Sequence, residues 1–511
     1  MIDKSEWRWA GIWALVLVLV ATVPYVIAYV AAPDGFLFAG FLSNPQDGFT
    51  YLAKMRQGWR GEWLFHLPYA PEPHQGAFLF TYYLFLGHLA RWIHLPMILV
   101  FHLARSINGY LLLISLYYVS AHLFEDLEQR RLAFLIAALG SGFGWLTSFF
   151  MDLTVDLWVP EGYVFYSLFA NPHFPLAISA MSLMLVWSVT PWDAVRLDGR
   201  RLAGVAVCAL VLGLSQPFVL LTTGVVLIVY TVVRWVRQRR LPYRELASGL
   251  AMALGGLPFV INAYLVSITN PIFVAWSEQN LTASPPPWDY AISYGIVLVL
   301  ALIGAWQAVR RRRESDLFLL IWAGCTALLL YAPISLQRRL VMGWMVPLGA
   351  LAGMGWSVIP AARRPRREVM LGVASLTNVF LVAMSVVMGL THHESLYVSD
   401  DEYEALLWME EGVPQDALVA ASPETGLYIP AWSGQRVLYG HPFETPQADL
   451  RRMELEAFLA RGDLDALAYR PDYIFFGPRE RALWQADWVP DERWPVVYRV
   501  GTVAILAVPQ E

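Results

Sequence analysis

A single acid, Asp47, stands in the stretch Ser43-Asn44-Pro45-Gln46-Asp47-Gly48-Phe49-Thr50-Tyr51, directly after the first apolar run. Pro45 and Gly48 spell a turn, and a turn aims a reactive side chain where a regular element would pack it. The plain alternative is a solvated loop acid. An aromatic and basic segment follows at once, with Tyr51, Lys54, Arg56, Trp59, Arg60, Glu62 and Trp63. Much later, Ser335-Leu336-Gln337-Arg338-Arg339 sets two guanidinium groups side by side between apolar runs. A guanidinium is a planar fork of donors that fits phosphate oxygens, so beside a bilayer these two imply capture of a lipid phosphate. Their plain alternative is headgroup snorkelling at a helix end.

Three more polar breaks repeat the pattern: Phe169-Ala170-Asn171-Pro172-His173-Phe174-Pro175, Ser215-Gln216-Pro217, and Thr269-Asn270-Pro271 with Trp276, Glu278, Gln279 and Asn280. Any one of them could be a helix end set by proline. Asn280-Leu281-Thr282 also has the form of a glycosylation sequon, too short a pattern to carry a role.

The elements that must hold these residues are hydrophobic. The chain of 511 residues is 57% hydrophobic and 15% charged, with a mean hydropathy of +0.47, where a soluble chain carries roughly a quarter charged residues. This composition predicts a polytopic membrane protein, and a net charge of -5 implies no nucleic-acid partner. Eleven apolar runs lie near 10–32, 98–123, 132–150, 173–190, 202–215, 218–236, 247–267, 289–309, 316–332, 340–360 and 369–391. A span takes about 20 residues, fewer where helices are short or broken. The first run is too long for a signal peptide and lacks a small-residue cleavage site, so it reads as a retained helix. Cys208 and Cys325 both fall inside apolar runs, which argues against a disulfide framework.

The connections alternate between two kinds. Arg130 and Arg131, Arg196 with Arg200 and Arg201, Arg234 through Arg244, Arg310 to Arg313 and Arg363 to Arg367 are basic; 33–76, 151–172 and 268–288 are acidic, aromatic or proline-rich. The positive-inside rule then puts the N-terminus, with Lys4 and Arg8, in the cytoplasm and the C-terminus outside. The short apolar segment 78–93 reads as a juxtamembrane or re-entrant helix on the outer side. Asp47, His173, Gln216, Asn270 and Arg338 all fall on that outer side, and Arg338 and Arg339 sit there against the usual charge bias. Helix ends of this kind, brought together, would make a polar cavity at membrane level. No Asp, Glu or Lys is read in mid-span and no internal repeat is visible, which favours surface chemistry over transport.

After residue 392 the composition changes. Asp400-Asp401-Glu402-Tyr403 opens an amphipathic helix, and β-type runs follow at Ala417–Ala421, Arg436–Tyr439, Tyr473–Phe476, Val496–Val500 and Val503–Val508, with a helical pattern at 447–460. This predicts a small α/β domain over 393–511. It carries no GxGxxG or P-loop, so nucleotide binding is not expected.

With these residues in place the chain resembles the GT-C superfamily of integral-membrane glycosyltransferases that use polyprenyl-phosphate sugars. Within it, the likeness is to bacterial members of the dolichyl-phosphate-mannose-mannosyltransferase-like type with an extracytoplasmic C-terminal domain. The residues that carry the likeness are Asn44 to Tyr51, Asn171-Pro172-His173, Gln216-Pro217, Gln337-Arg338-Arg339, Ala421-Ser422-Pro423-Glu424-Thr425-Gly426 and Tyr439-Gly440-His441-Pro442-Phe443-Glu444-Thr445. It extends over nearly the whole chain.

The resemblance implies an α-helical polytopic membrane protein of about eleven transmembrane helices. Residues 1–392 would form the membrane domain, with the first outer loop and its juxtamembrane helices at 33–97, and 393–511 the extracytoplasmic α/β domain. It implies transfer of a sugar from a polyprenyl-phosphate donor to a glycan, lipid or protein acceptor at the outer face of a bacterial-type plasma membrane. Asp47 would be the general base in an inverting reaction. Arg338, Arg339 and His173 would hold the donor phosphate, and Asn171, Gln216, Gln337, Tyr51, Trp59 and Asn270 would contact substrate. The family pattern often sets a second acid near the first; here Gln46 and Gly48 flank Asp47, so no cofactor is expected and a divalent metal is the less favoured alternative. The other class of reading is a non-catalytic membrane protein, either a transporter or flippase for a lipid-linked glycan or an assembly scaffold.

Overall fold

The computed structural model describes residues 2–189, 197–360, 362 and 364–509; Arg196 and Arg363, two of the loop arginines named above, lie outside the described residues. Helices lie in all eleven apolar runs, but in 132–150 the helix ends at Leu139 with only the short Gly144–Thr147 after it, and 369–391 is divided between Arg367–Ala374 and Leu376–Leu390. The first four helices of the chain are α1 (Lys4–Val30), α2 (Pro45–Arg60), α3 (Thr81–Ile93) and α4 (Met97–Leu123), followed by α5 (Leu127–Leu139). Among the described residues five helices are long and apolar enough to cross a membrane: α1, α4, Val219–Gln238, Tyr243–Thr269 and Pro287–Arg311. The pair Arg367–Ala374 and Leu376–Leu390, bent by 53°, makes a sixth if it counts as one span. Helices at the remaining runs are shorter, such as His173–Val189 and Met345–Val358. The segment 78–93 is the 13-residue helix α3.

The chain forms two compact units, Met1–Pro24 with His102–Ile261 and Thr282–Val387, and Tyr25–Phe101 with Asn262–Leu281 and Met388–Glu511. In the first, helix Pro287–Arg311 packs along Met345–Val358, which also packs on α5. Two buried carboxylates organise the connection that follows α5. Asp156 Oδ2 accepts the backbone N–H groups of Gly142 at 3.1 Å and Gly144 at 3.0 Å, and its Oδ1 accepts the Thr154 hydroxyl at 2.8 Å. Asp289 Oδ1 accepts the N–H of Val155 at 3.1 Å and the hydroxyl of Ser293 at 2.8 Å. Burial pushes the Asp156 carboxyl up from its ordinary value, and these hydrogen bonds, with one from Thr377, oppose that rise.

In the second unit β1 (Phe36–Phe38) pairs antiparallel with β2 (Tyr397–Ser399). The later strands β3 (Leu418–Ala420), β4 (Arg436–Val437), β5 (Tyr473–Phe476), β6 (Val496–Val500) and β7 (Val503–Ala507) form one sheet in the order β4-β3-β5-β7-β6. The first three are parallel, and β7 runs antiparallel to both its neighbours. Leu418 and Ala420, Ile474 and Phe476, Ala504 and Leu506 alternate onto one face, where Leu455, Phe458 and Leu459 of helix Ala448–Arg461 cover them. The period of two in the strands and the three- and four-residue spacing in the helix make that core.

Helix α2 is fastened on several sides within this unit. Against α3 the approach is backbone to backbone: a Cβ on Gly58 would lie 2.0 Å from Leu84 O, and one on Gly87 1.9 Å from Met55 O. Against helix Pro423–Trp432, the Phe49 ring meets Tyr428 at 4.6 Å and Trp432 at 5.2 Å. The basic residues that follow Asp47 are also partnered here. Arg56 pairs with Glu410 at 2.5 Å, and Arg60 donates to the carbonyls of Ser433 and Gly434.

Candidate active site

Asp47 stands in the first turn of α2, where a turn was expected. Pro45 takes the first helical position, for which its fixed φ and missing N–H suit it. Asn44 caps the helix in a left-handed conformation, φ 44°. Its amide oxygen accepts the Asp47 N–H at 3.4 Å and its amide nitrogen donates to Asp47 Oδ2 at 2.6 Å. The carboxylate, its side chain 42% exposed, thus sits at the positive end of the helix dipole.

The other Asp47 oxygen, Oδ1, lies 3.7 Å from Nε2 of His441, whose side chain is 2% exposed. His441 Nδ1 accepts two backbone N–H groups, from Phe443 and Glu444, each at 3.1 Å. Since Nδ1 is an acceptor, the ring proton is on Nε2 and points toward Asp47. Two turns along α2, Lys54 pairs with Glu444 at 2.7 Å and is almost fully buried. The Lys54 ammonium also lies 4.4 Å from the centre of the Phe80 ring and 5.3 Å from that of Tyr51. Tyr51 in turn stacks on Tyr83 at 4.4 Å. Positions 47, 51 and 54 share one face of a helix, and residues 441–444 run along that face.

The same segment is gripped from a second side by the end of helix Pro271–Gln279. Gln279 donates to Thr445 O at 2.7 Å and accepts the N–H of Gln447 at 3.0 Å, and Asn280 donates to Phe443 O at 2.7 Å and Trp276 O at 2.8 Å. The amide of the sequon asparagine is therefore a structural donor. Nearby, burial and the Glu444 carboxylate push the Tyr69 phenol well above its ordinary value, so it remains a donor, to Leu427 O at 3.2 Å.

Of the other expected contacts in this unit, Asn270 donates to Gln75 O at 3.2 Å. It lines a cavity of about 730 Å³ with Glu72, His74, Gln75 and Asn262. Trp59 is three turns beyond Asp47, about 18 Å along the axis at 1.5 Å per residue. Trp63 stacks on His88 at 4.0 Å, and Trp276 packs on Phe80 and Phe273. The indoles of Trp63 and Trp276 are thus engaged in packing.

The first unit holds the arginines. The Arg338 guanidinium lies 4.3 Å from the Trp158 ring centre, and its backbone N–H bonds Thr282 O at 3.0 Å. The Arg339 guanidinium lies 5.9 Å from the ring of Phe218, two residues after Gln216. Gln337 is used at both ends of its amide, donating to Ala332 O at 2.7 Å and accepting the Ser284 N–H at 3.2 Å, so it fixes the loop that carries the arginines. Gln216 closes helix Gly199–Ser215 through its N–H to Leu212 O at 2.7 Å.

His173 begins helix His173–Val189 and is buried, its ring 4.0 Å from that of Phe174. Asn171 is buried beside it. Asn108 and Arg105 of α4 hold this motif. Asn108 donates to Pro172 O at 3.0 Å, and Arg105, 1% exposed, donates to Leu168 O at 2.8 Å and Phe169 O at 3.3 Å. Arg105 went unread in the sequence although the signal was there, a lone guanidinium inside an apolar run. In sequence Lys54 reads only as part of a basic segment and His441 and Glu444 only as part of a family-like stretch; their pairing leaves no signal, because it joins positions as much as 390 residues apart.

Among the described residues no group of three or more His, Cys, Asp or Glu side chains is placed to hold a metal ion.

Apolar membrane-length helices and the sheet at the C-terminal end mark an integral membrane protein, and its fold is similar to that of solved membrane-enzyme structures. An oligosaccharyltransferase of Archaeoglobus fulgidus in complex with Zn and sulfate matches with a TM-score of 0.53 at 13% identity, over 90% of this chain and 67% of that one. The archaeal oligosaccharyltransferase AglB from Archaeoglobus fulgidus, in complex with an inhibitory peptide and a dolichol-phosphate, gives 0.52 at 13% identity, over 91% and 69%. ArnT from Cupriavidus metallidurans bound to undecaprenyl phosphate gives 0.50 at 16% identity, over 96% of this chain and 99% of that one. No protein-family model and no curated protein matches the sequence.

Proposed function

We propose that this protein transfers a sugar from a polyprenyl-phosphate donor to an acceptor hydroxyl or amide at the extracytoplasmic face of the membrane. The observation that carries the reading is the shared fold with ArnT over nearly the full length of both chains, since that structure holds undecaprenyl phosphate. In the reaction an acceptor atom attacks the anomeric carbon of the donor sugar and the bond from that carbon to the lipid phosphate oxygen breaks. The electron pair leaves with the phosphate, and the acceptor's proton goes to the Asp47 carboxylate as general base. Attack and departure on opposite faces invert the anomeric centre.

Arg338 and Arg339 take up the charge that develops on the leaving phosphate, the electrostatic part that usually dominates such transfers. The support for this role is their placement on aromatic faces, with Gln337 fixing the loop beneath them. A guanidinium over an aromatic face is attracted by the ring and directs its N–H donors outward in its own plane, a geometry suited to an anion at its edge. His173 supplies a further donor to the phosphate, and Asn171, Gln216, Tyr51 and Asn270 contact substrate. No metal step is included.

The matching topology has about eleven spans, the N-terminus in the cytoplasm and residues 393–511 outside. The test is an assay with a radiolabelled polyprenyl-phosphate sugar and membranes or purified protein: label leaves the lipid and free polyprenyl phosphate accumulates. A panel of donors from which no label moves would overturn the reading.

A further inference from the structure

We propose that His441 is the positioning residue of the Asp47 base, an inference that rests on the glycosyl-transfer reading above. Three observations carry it. First, the ring is locked: two backbone N–H groups donate to Nδ1, so Nε2 bears the proton and its direction is set by the fold of 441–445. Thr445 closes that small turn, its N–H bonding His441 O at 2.9 Å and its hydroxyl accepting the N–H of His441 at 3.3 Å. Second, Nε2 is buried and has no hydrogen-bond partner among the described residues. A buried donor in this condition calls for an acceptor. Third, the group it faces is Asp47 Oδ1 at 3.7 Å, on a carboxylate whose other oxygen Asn44 already holds at 2.6 Å.

The separation exceeds a hydrogen bond of 2.7–3.2 Å. A small rotation of the half-exposed carboxylate closes it, and contacts of this kind tighten when substrate arrives. Held at both oxygens, Asp47 is fixed in one orientation for taking the acceptor's proton. His441 is not a relay: Nε2 already carries a hydrogen and Nδ1 is occupied, so the ring has no site at which to receive the proton from Asp47. Its part is to aim the carboxylate and to stabilise the negative charge that makes it a base.

Two substitutions separate this role from a purely structural one. In His441→Asn the side-chain oxygen takes the place of Nδ1 and still accepts from Phe443 and Glu444, but nothing reaches Asp47. In His441→Gln the amide nitrogen takes the place of Nε2 and donates to Asp47, while the Nδ1 acceptor is gone. With full-length protein and a labelled polyprenyl-phosphate sugar, the inference predicts that His441→Asn lowers kcat by about tenfold or more with the donor KM unchanged. It predicts that His441→Gln retains the larger share of kcat although it is the less heat-stable of the two. The reverse ranking, His441→Asn active and His441→Gln impaired, overturns the inference and leaves glycosyl transfer standing. Wild-type protein that moves no sugar from any donor overturns both.

A spectroscopic measurement covers the case in which either variant fails to fold. In imidazole ¹⁵N spectra of the wild type, His441 is expected as the Nε2–H tautomer, with a shift that changes in Asp47→Asn. The Nδ1–H tautomer, or a shift indifferent to position 47, contradicts the proposal.

Discussion

Lys54 and Glu444 meet at 2.7 Å in the interior of the unit that holds Asp47, with Lys54 1% and Glu444 12% exposed. Together with Asp47 and His441 they form two parallel rungs between one face of α2 and the segment 441–444. The lower rung is a buried ion pair, and such a pair gives register more than net stability. Lys54→Met alone leaves the Glu444 carboxylate buried without its counter-charge. It should cost about 3–5 kcal/mol, read as a fall in the midpoint of thermal or denaturant unfolding in detergent. The double variant Lys54→Met/Glu444→Leu should recover most of the loss. A single variant as stable as wild type would show that the pair is not buried in the folded protein.

The packing of α2 on α3 gives a second prediction. Because the contacts at Gly58 and Gly87 are with backbone atoms of the facing helix, no side chain can swing aside to admit a methyl group. Gly87→Ala should destabilise by about 1–3 kcal/mol or more and reduce activity by displacing the helix that carries Asp47. Gly372→Ala is the control, since a Cβ there meets nothing within 4 Å. It should be neutral or slightly stabilising, as alanine is in a helix. Equal unfolding midpoints for the two variants would contradict the close approach.

Trp158 is the face on which Arg338 rests. A contact of this type is worth about 0.5–2 kcal/mol. Trp158→Ala should therefore weaken donor binding by roughly 2- to 30-fold, with less effect on kcat than on KM. Arg338→Ala should weaken it further. Titration of a polyprenyl phosphate into each variant measures this, and unaltered affinity in Arg338→Ala would remove the phosphate role.

A pH effect on stability follows from His74. Its Nε2 accepts the Leu67 N–H at 2.9 Å and its Nδ1 donates to Glu72 O at 2.8 Å, an arrangement that requires the neutral ring. Burial lowers its pKa from the ordinary 6.5, with His66 and Arg436 adding to that and the Glu72 carbonyl opposing. A histidine whose folded pKa is depressed binds fewer protons folded than unfolded. Its contribution to stability is present above the ordinary value of 6.5 and lost as pH falls from there through the lowered folded value. Loop 62–78 should become more open to proteolysis as pH drops through that window, and His74→Gln should blunt the dependence. A protection profile flat in pH would contradict the assignment.

The sequence made the membrane-length helices legible because each is a long apolar run, and it made the C-terminal strands legible because they alternate with a period of two. It misread the start of α2. Pro45 and Gly48 punctuate turns, but proline is equally at home at the first helical position, and a helix rich in Arg, Lys and Gln has no apolar run to announce it. The arginine pair was visible as two adjacent charges between apolar runs, and the structure adds the aromatic rings beside it. The partners of Asp47 and Lys54 were not visible. His441 and Glu444 lie in a stretch with no periodicity, and their meaning comes only from the fold that brings two distant segments together. Gln337 shows the converse: a polar residue that looks like a substrate contact in sequence has both ends of its amide engaged in fixing its own loop.

The most direct test of the account is sugar transfer by Asp47→Asn beside wild type. The substitution keeps the size of the side chain and removes the base. The account predicts a variant that folds, inserts and binds polyprenyl phosphate like wild type while its transfer rate falls by about 10²- to 10⁴-fold. Transfer by Asp47→Asn at the wild-type rate would contradict it.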